Sequence, residues 1–173
     1  MENYKKSYDA ATRKLLSQAA DIDRMCLQHF DAQYTLYDIT YVLRSLYADE
    51  KFRRKFVGQN IFRGFVPWTK GFCALSSICI YELYGGSDVW VPSAIKLGAW
   101  EHAPVVYLQN KFTDMPFDTT GDQFAPLVVP YHVGEPINKR VRDMKTPNKA
   151  EFIKRVNKNW IDGKNYAKTR TFC

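Results

Sequence analysis

The stretch Lys70-Gly71-Phe72-Cys73-Ala74-Leu75-Ser76-Ser77-Ile78-Cys79-Ile80-Tyr81-Glu82-Leu83-Tyr84-Gly85-Gly86 decides how the rest of the chain is read. From Phe72 to Tyr84 nearly every position is apolar or small, and a helix that is apolar all round is a core helix. Gly85-Gly86 ends the run like a helix C-terminal cap, since glycine enters the left-handed region without a Cβ penalty. Cys73 stands at the start of this helix, after the loop Pro67-Trp68-Thr69-Lys70-Gly71-Phe72. A helix N-terminus favours the thiolate, so the position suits a nucleophile.

Two helices are expected ahead of it. Ser7 to about Phe30 repeats apolar residues at Ala11, Leu15, Ala19, Ile22 and Cys26, the spacing of an amphipathic helix. Thr35-Leu36-Tyr37-Asp38 has the form of a capping box and opens a helix with Ile39, Val42, Leu43, Leu46 and Tyr47 on its inner side. The cluster Lys51-Phe52-Arg53-Arg54-Lys55 is expected to close that helix, where positive charge suits the dipole. Residues 58 to 70 read as loop.

Strand patterns follow the core helix at Val89–Val91, Ala94–Leu97, Ala103–Leu108 and Lys111–Thr119. Ala125–Val129 is expected as an edge strand, because its proline cannot donate to a ladder. Thr146-Pro147 marks the start of a last helix with Phe152, Ile153, Val156 and Trp160 on one side. The order predicts an α+β fold, with a buried central helix packed on a small antiparallel sheet. A single domain over 1–173 is expected: a helical N-terminal layer over 1–58, a core over 66–130, and a basic C-terminal helix and tail over 138–173.

Composition bounds the function. At 173 residues and 46% hydrophobic content the chain can bury one core, and 15% aromatic residues argue against disorder. The absence of an 18-residue apolar run predicts no membrane span, and Met1-Glu2-Asn3-Tyr4-Lys5-Lys6 lacks the apolar region of a signal peptide, so a cytoplasmic location is expected. The four cysteines are then expected as free thiols. Cys26-x-x-His29 is a metal-like spacing without a second pair to complete it, so neither a metal nor a cofactor is expected. The charge is uneven: residues 138–173 carry 11 Lys or Arg against 3 Asp or Glu, whereas 1–137 carry 14 against 15. Such a tail can contact an anionic partner.

The chemistry-bearing residues are Cys73, His102 and Asp118. If His102 and Asp118 face each other across a hairpin turning near Asn110, a carboxylate holds an imidazole by its ring N–H. Alternation then puts His102 on the face of Pro104, Val106 and Leu108, where the core helix would bring Cys73. A one-residue slip would separate them. Asp122 is the alternative carboxylate. Cys79 reads as inert core, Cys26 and Cys173 as non-catalytic, and His29 and His132 as weaker bases.

Lys70-Gly71-Phe72-Cys73-Ala74, Leu83-Tyr84-Gly85-Gly86, His102 and Asp118-Thr119-Thr120-Gly121-Asp122-Gln123-Phe124 together resemble the YunG-like family of small bacterial proteins. That arrangement is in turn similar to NlpC-type and other papain-like cysteine hydrolases. The resemblance covers roughly residues 68 to 124. It implies a papain-like core with Cys73 as nucleophile, His102 as general base and Asp118 as orienting group. Gln123 matches the family's glutamine, as a substrate-binding or loop-bracing residue, and Trp68 is a candidate lining residue. Positions 66 to 72 lack the side-chain oxyanion donor usual in papain-like enzymes; Gln59 and Asn60 lie further back, leaving the Cys73 backbone N–H for that task.

The leading expectation is therefore a thiol hydrolase acting on a protein or peptide substrate, with peptidase, deamidase and transglutaminase chemistry all open. The alternative is a non-enzymatic binding or inhibitory protein on the same scaffold, using residues 138–173 to contact an anionic partner. An RNA-binding domain has less support, because no RNP or Gly-x-x-Gly clamp is present.

Overall fold

The computed structural model describes residues 2–57, 66–98, 104–137 and 148–170, with side chains of the last segment as far as residue 159. Three helices come first: α1 (Glu2–Cys26), α2 (Leu36–Ala48) and α3 (Glu50–Val57). The apolar run forms α4 (Cys73–Leu83), and a single turn, α5 (Gly86–Val89), leads into strand β1 (Trp90–Ile95). Strands β2 (Val105–Asn110), β3 (Pro116–Phe117) and β4 (Glu135–Pro136) and helix α6 (Lys149–Arg170) complete the described chain. The class is α+β. The four strands pair antiparallel in the order β3-β2-β1-β4.

Local signals explain the boundaries. The Thr35 side chain accepts from the Asp38 N–H at 3.0 Å and starts α2. Gly85 sits at φ 72°, where a Cβ would lie 2.2 Å from Val89 Cγ2, so glycine is required to end α4. The basic cluster after α2 does not close that helix. Asp49 ends α2 and its carboxylate then accepts from the Lys51 N–H at 2.8 Å, so a separate helix begins.

The strand expectations need correction in three places. Val89–Val91 and Ala94–Leu97 merge into β1, and Lys111–Thr119 contributes only Pro116–Phe117. No strand forms over Ala125–Val129, where Pro126 and Pro130 interrupt the supply of N–H donors. Thr146-Pro147 lies outside the described residues, as do Ala103 and the side chain of Trp160.

One shared core joins the helices to one face of the sheet. It contains Ile22 of α1, Leu43 and Tyr47 of α2, Leu75 and Cys79 of α4, Trp90, Leu108 and Phe117 of the strands, and Phe152 and Val156 of α6. The rings of Phe52, Phe56, Phe72 and Phe152 meet at 4.7 to 6.0 Å and tie α3 and α6 to the start of α4. Each such pair adds roughly 0.5–1.5 kcal/mol beyond its buried area. On the other sheet face, Ile95, Val105, Tyr107 and Val129 form a smaller cluster, against which Cys73, Phe124 and Tyr131 pack.

Among the described residues no helix is long and apolar enough to cross a membrane. Cys26, Cys73 and Cys79 are free thiols; Cys173 lies outside the described residues.

Candidate functional site

Helix α4 delivers Cys73 to the edge of β2. Backbone groups of Val106, Leu108 and Asn110 all point to the β3 side of that strand, as the Asn110 N–H to Met115 C=O bond at 3.0 Å shows. Two-residue β3 stops level with Leu108, so the Val106 backbone is left for α4. The Ser77 hydroxyl donates to the Val106 carbonyl at 3.2 Å, and the Cys73 thiol takes a backbone hydrogen bond from Val106 one helical turn earlier. The start of α4 thus stands where a longer β3 would have continued.

Phe72 offers α4 no side-chain cap. The sulfur instead faces the backbone groups of Cys73 and Ala74, so the open end of the helix surrounds a nucleophile rather than a capping oxygen. Burial nevertheless pushes the Cys73 thiol above its usual range. The Val106 hydrogen bond pulls it down, the nearby Asp118 carboxylate pushes it up again, and the N-terminal backbone groups of α4 pull it down. The result is a partly exposed cysteine whose described surroundings favour the neutral thiol.

Asp118 follows directly on β3 and is buried. Its Oδ1 accepts from the Thr120 N–H at 2.8 Å and the Thr120 hydroxyl at 2.6 Å, and its Oδ2 accepts from the Tyr131 hydroxyl at 2.8 Å. Burial pushes its carboxyl upward, the Thr120 and Tyr131 bonds pull it back, and Asp122 adds to the rise. Gly121 lets this cluster close: a Cβ there would lie 2.6 Å from the Tyr131 hydroxyl oxygen.

The expected register of the hairpin, turning about Asn110, does not hold. Strands β2 and β3 pair Leu108 with Phe117 and Gln109 with Pro116, so continuing the register sets Asp118 level with Tyr107. The cause is Asn110, which begins the turn instead of centring it. Its side-chain oxygen accepts from the N–H groups of Phe112 and Thr113, at 3.0 and 2.9 Å. The expected face is corrected too: Cys73 packs on the side of Val105 and Tyr107, whereas Leu108 belongs to the main core. His102 itself, like Gln59 and Asn60, lies outside the described residues.

Asp122 is already engaged. Arg44 of α2 bonds it at two points, Nη1 to Oδ1 at 2.7 Å and Nη2 to Oδ2 at 3.1 Å, and Nη1 also donates to the Thr119 carbonyl at 2.9 Å. Gln123 spans two loops: its Nε2 donates to the Thr120 carbonyl at 3.1 Å, and its Oε1 accepts from the Gly71 N–H at 3.2 Å, two residues before Cys73. That is the bracing geometry. Trp68 packs its ring on Tyr4 and Tyr8, with centroids 5.4 and 4.8 Å away, and joins the main core.

Of the other candidates, Cys79 is fully buried, Cys26 lies beside the Asn110 side chain, and His29 stacks on Phe112. Among the described residues no group of His, Cys, Asp and Glu could hold a metal ion. His132 lines a groove of about 600 Å³ on the sheet face that bears Tyr107 and Tyr131. Those two tyrosines therefore belong both to the groove and to the cluster around Cys73.

Arg44 and Tyr131 were missed by sequence reasoning. A single cation set between the apolar positions Leu43 and Leu46 of α2 was the available signal for Arg44. Nothing around Tyr131 marked it. Compared with protein-family models, with curated proteins and with solved structures, the chain matches none.

Proposed function

We propose that the protein is a cysteine hydrolase with a papain-like (NlpC-type) core, cleaving an amide, isopeptide or thioester bond of a protein or peptide substrate. Cys73 is the nucleophile, His102 the general base, and Asp118 the carboxylate that serves the imidazole. The observation that carries the reading is the position of Cys73 at the uncapped start of α4, with a buried carboxylate close enough to act on its thiol. His102 is three residues from Val105, which packs in the Cys73 cluster; three residues of chain reach at most about 11 Å.

In this reading the imidazole takes the thiol proton as sulfur attacks the carbonyl carbon. The N–H groups of Cys73 and Ala74 receive the oxyanion, and the imidazolium returns the proton to the departing amine or thiol. Water, deprotonated by the same imidazole, then releases the acid and frees the cysteine. A thiol raised by burial fits proton transfer during attack better than a standing thiolate. The groove beside Tyr107 and Tyr131 has the size of a ligand site and is the candidate substrate cleft.

The test is covalent trapping. Peptidyl vinyl sulfones and acyl-glutamine peptides are incubated with the full chain, and the modified cysteine is mapped by mass spectrometry. Labelling of Cys73 ahead of Cys26, Cys79 and Cys173, lost in His102→Ala, is expected; equal slow labelling of all four contradicts the reading. The raised Cys73 thiol also favours a second reading, a non-enzymatic binding protein on this scaffold that contacts an anionic partner through residues 138–173. Under it no acyl adduct forms, and binding is lost when those residues are removed.

A further inference from the structure

We propose that helices α3 and α6 together form a docking surface for the phosphate backbone of a nucleic-acid duplex. The charge count along the chain locates the excess in the last 36 residues, but the fold adds α3 to it. The rings of Phe52 and Phe56 of α3 meet Phe152 of α6, tilted at 5.5 Å and edge-on at 5.3 Å, and Lys55 Nζ meets Glu151 Oε1 at 2.9 Å. The two helices therefore meet through their apolar sides and through this ion pair.

Their outer sides are cationic. Lys51 and Lys55 are one turn apart on α3, with Arg54 beside them. On α6, Arg155 and Lys158 continue the face begun by Glu151, with Lys154 flanking it, because residues three, four and seven apart share a helix face. All six cations are exposed. Two carboxylates lie among them, Glu50 bonded by Arg54 and Glu151 bonded by Lys55, so the cations outnumber them by four. A patch with such an excess of cations attracts a polyanion.

The chemistry of the surface selects the partner. The exposed large apolar side chains, including Met25, Phe112 and Val128, lie on neither α3 nor the described part of α6. A helix bound to a membrane surface needs an exposed apolar face, and one that binds single strands needs exposed aromatic rings for stacking. Among the described residues this surface offers charge alone, which suits a regular array of phosphates read without base contacts.

The experiment is fluorescence anisotropy of the full chain with a labelled DNA duplex of about 20 base pairs, between about 50 and 200 mM salt. Binding is expected to weaken with salt along a log–log slope of about −4, from roughly four phosphate contacts. The triple variant Lys51→Glu/Arg155→Glu/Lys158→Glu is expected to bind at least roughly tenfold more weakly, with an unchanged circular dichroism spectrum. Cys73→Ala is expected to bind like the unaltered chain, which separates this surface from the hydrolase site. Absence of duplex binding at low salt overturns the proposal. So does equal binding by a folded triple variant, or adsorption to phosphatidylserine vesicles without duplex binding.

Discussion

Arg44 and Asp122 are 78 positions apart and form a two-point ion pair, Nη1–Oδ1 at 2.7 Å and Nη2–Oδ2 at 3.1 Å. The pair joins the N-terminal helices to the loop that carries Asp118 and Gln123. Arg44 is enclosed further by Thr12, which accepts from its Nε at 2.9 Å, and by the Tyr8 ring 3.8 Å from its guanidinium carbon. Breaking a buried pair by removing one partner leaves a charge without compensation and costs about 3–5 kcal/mol. Asp122 keeps 15% of its side-chain surface exposed, so Arg44→Ala is expected to lose about 3 kcal/mol, the low end of that range, in urea unfolding. The double variant Arg44→Ala/Asp122→Ala should lose less than the sum of the two single losses.

Asp118 gives a pH signature. Its carboxyl is raised by burial, so the folded state holds that proton more tightly than the unfolded chain. Stability from this group is therefore present below the ordinary carboxylate range, near pH 4, and is lost as pH rises through the raised value. Asp118→Asn retains an oxygen for the Thr120 bonds and removes the charge. Relative to the unaltered chain it is expected to gain stability between about pH 4 and pH 7 while losing Cys73-dependent turnover. Unfolding curves at both pH values check the first half, and an unchanged difference would contradict it.

Gly121→Ala tests the closure around Asp118. The added Cβ would fall 2.6 Å from the Tyr131 hydroxyl oxygen and 3.6 Å from Asp118 Oδ2, so Tyr131 must give way. A loss of about 1–3 kcal/mol is expected from the displaced hydrogen bond to a buried charge. Tyr131→Phe removes the same bond without the overlap and should raise the Asp118 pKa further, read by NMR titration of its carboxyl carbon.

Gly85→Ala isolates the helix stop. It combines a positive φ with an overlap on Val89 Cγ2, and the left-handed conformation alone costs roughly 1–2 kcal/mol for a residue with a Cβ. The thermal midpoint is expected to fall accordingly, with Cys73 reactivity little changed, because the far end of α4 bears the strain.

What could be read from the chain was local. The Thr35 cap, the Gly85 stop and Cys73 at a helix start each depend on a few neighbouring residues, and the structure contains all three. The second half of the hairpin was not legible, because its register depends on which atoms the Asn110 side chain accepts from, not on the presence of an asparagine. The break at Asp49 was available in principle, since an aspartate before Glu50-Lys51-Phe52 can cap a new helix. Arg44 and Asp122 could not be paired from sequence, because a contact spanning 78 positions leaves no periodic trace. The basic surface was only half visible for the same reason: α3 and α6 become neighbours through Phe52, Phe56 and Phe152.

The most direct test of the central claim is the pH dependence of Cys73 alkylation by iodoacetamide, in the unaltered chain and in His102→Ala, followed by peptide mass spectrometry. The account predicts that the unaltered Cys73 reacts at lower pH, with a profile displaced by about one unit or more from that of the variant. Profiles that coincide, in two proteins with the same circular dichroism, would contradict it.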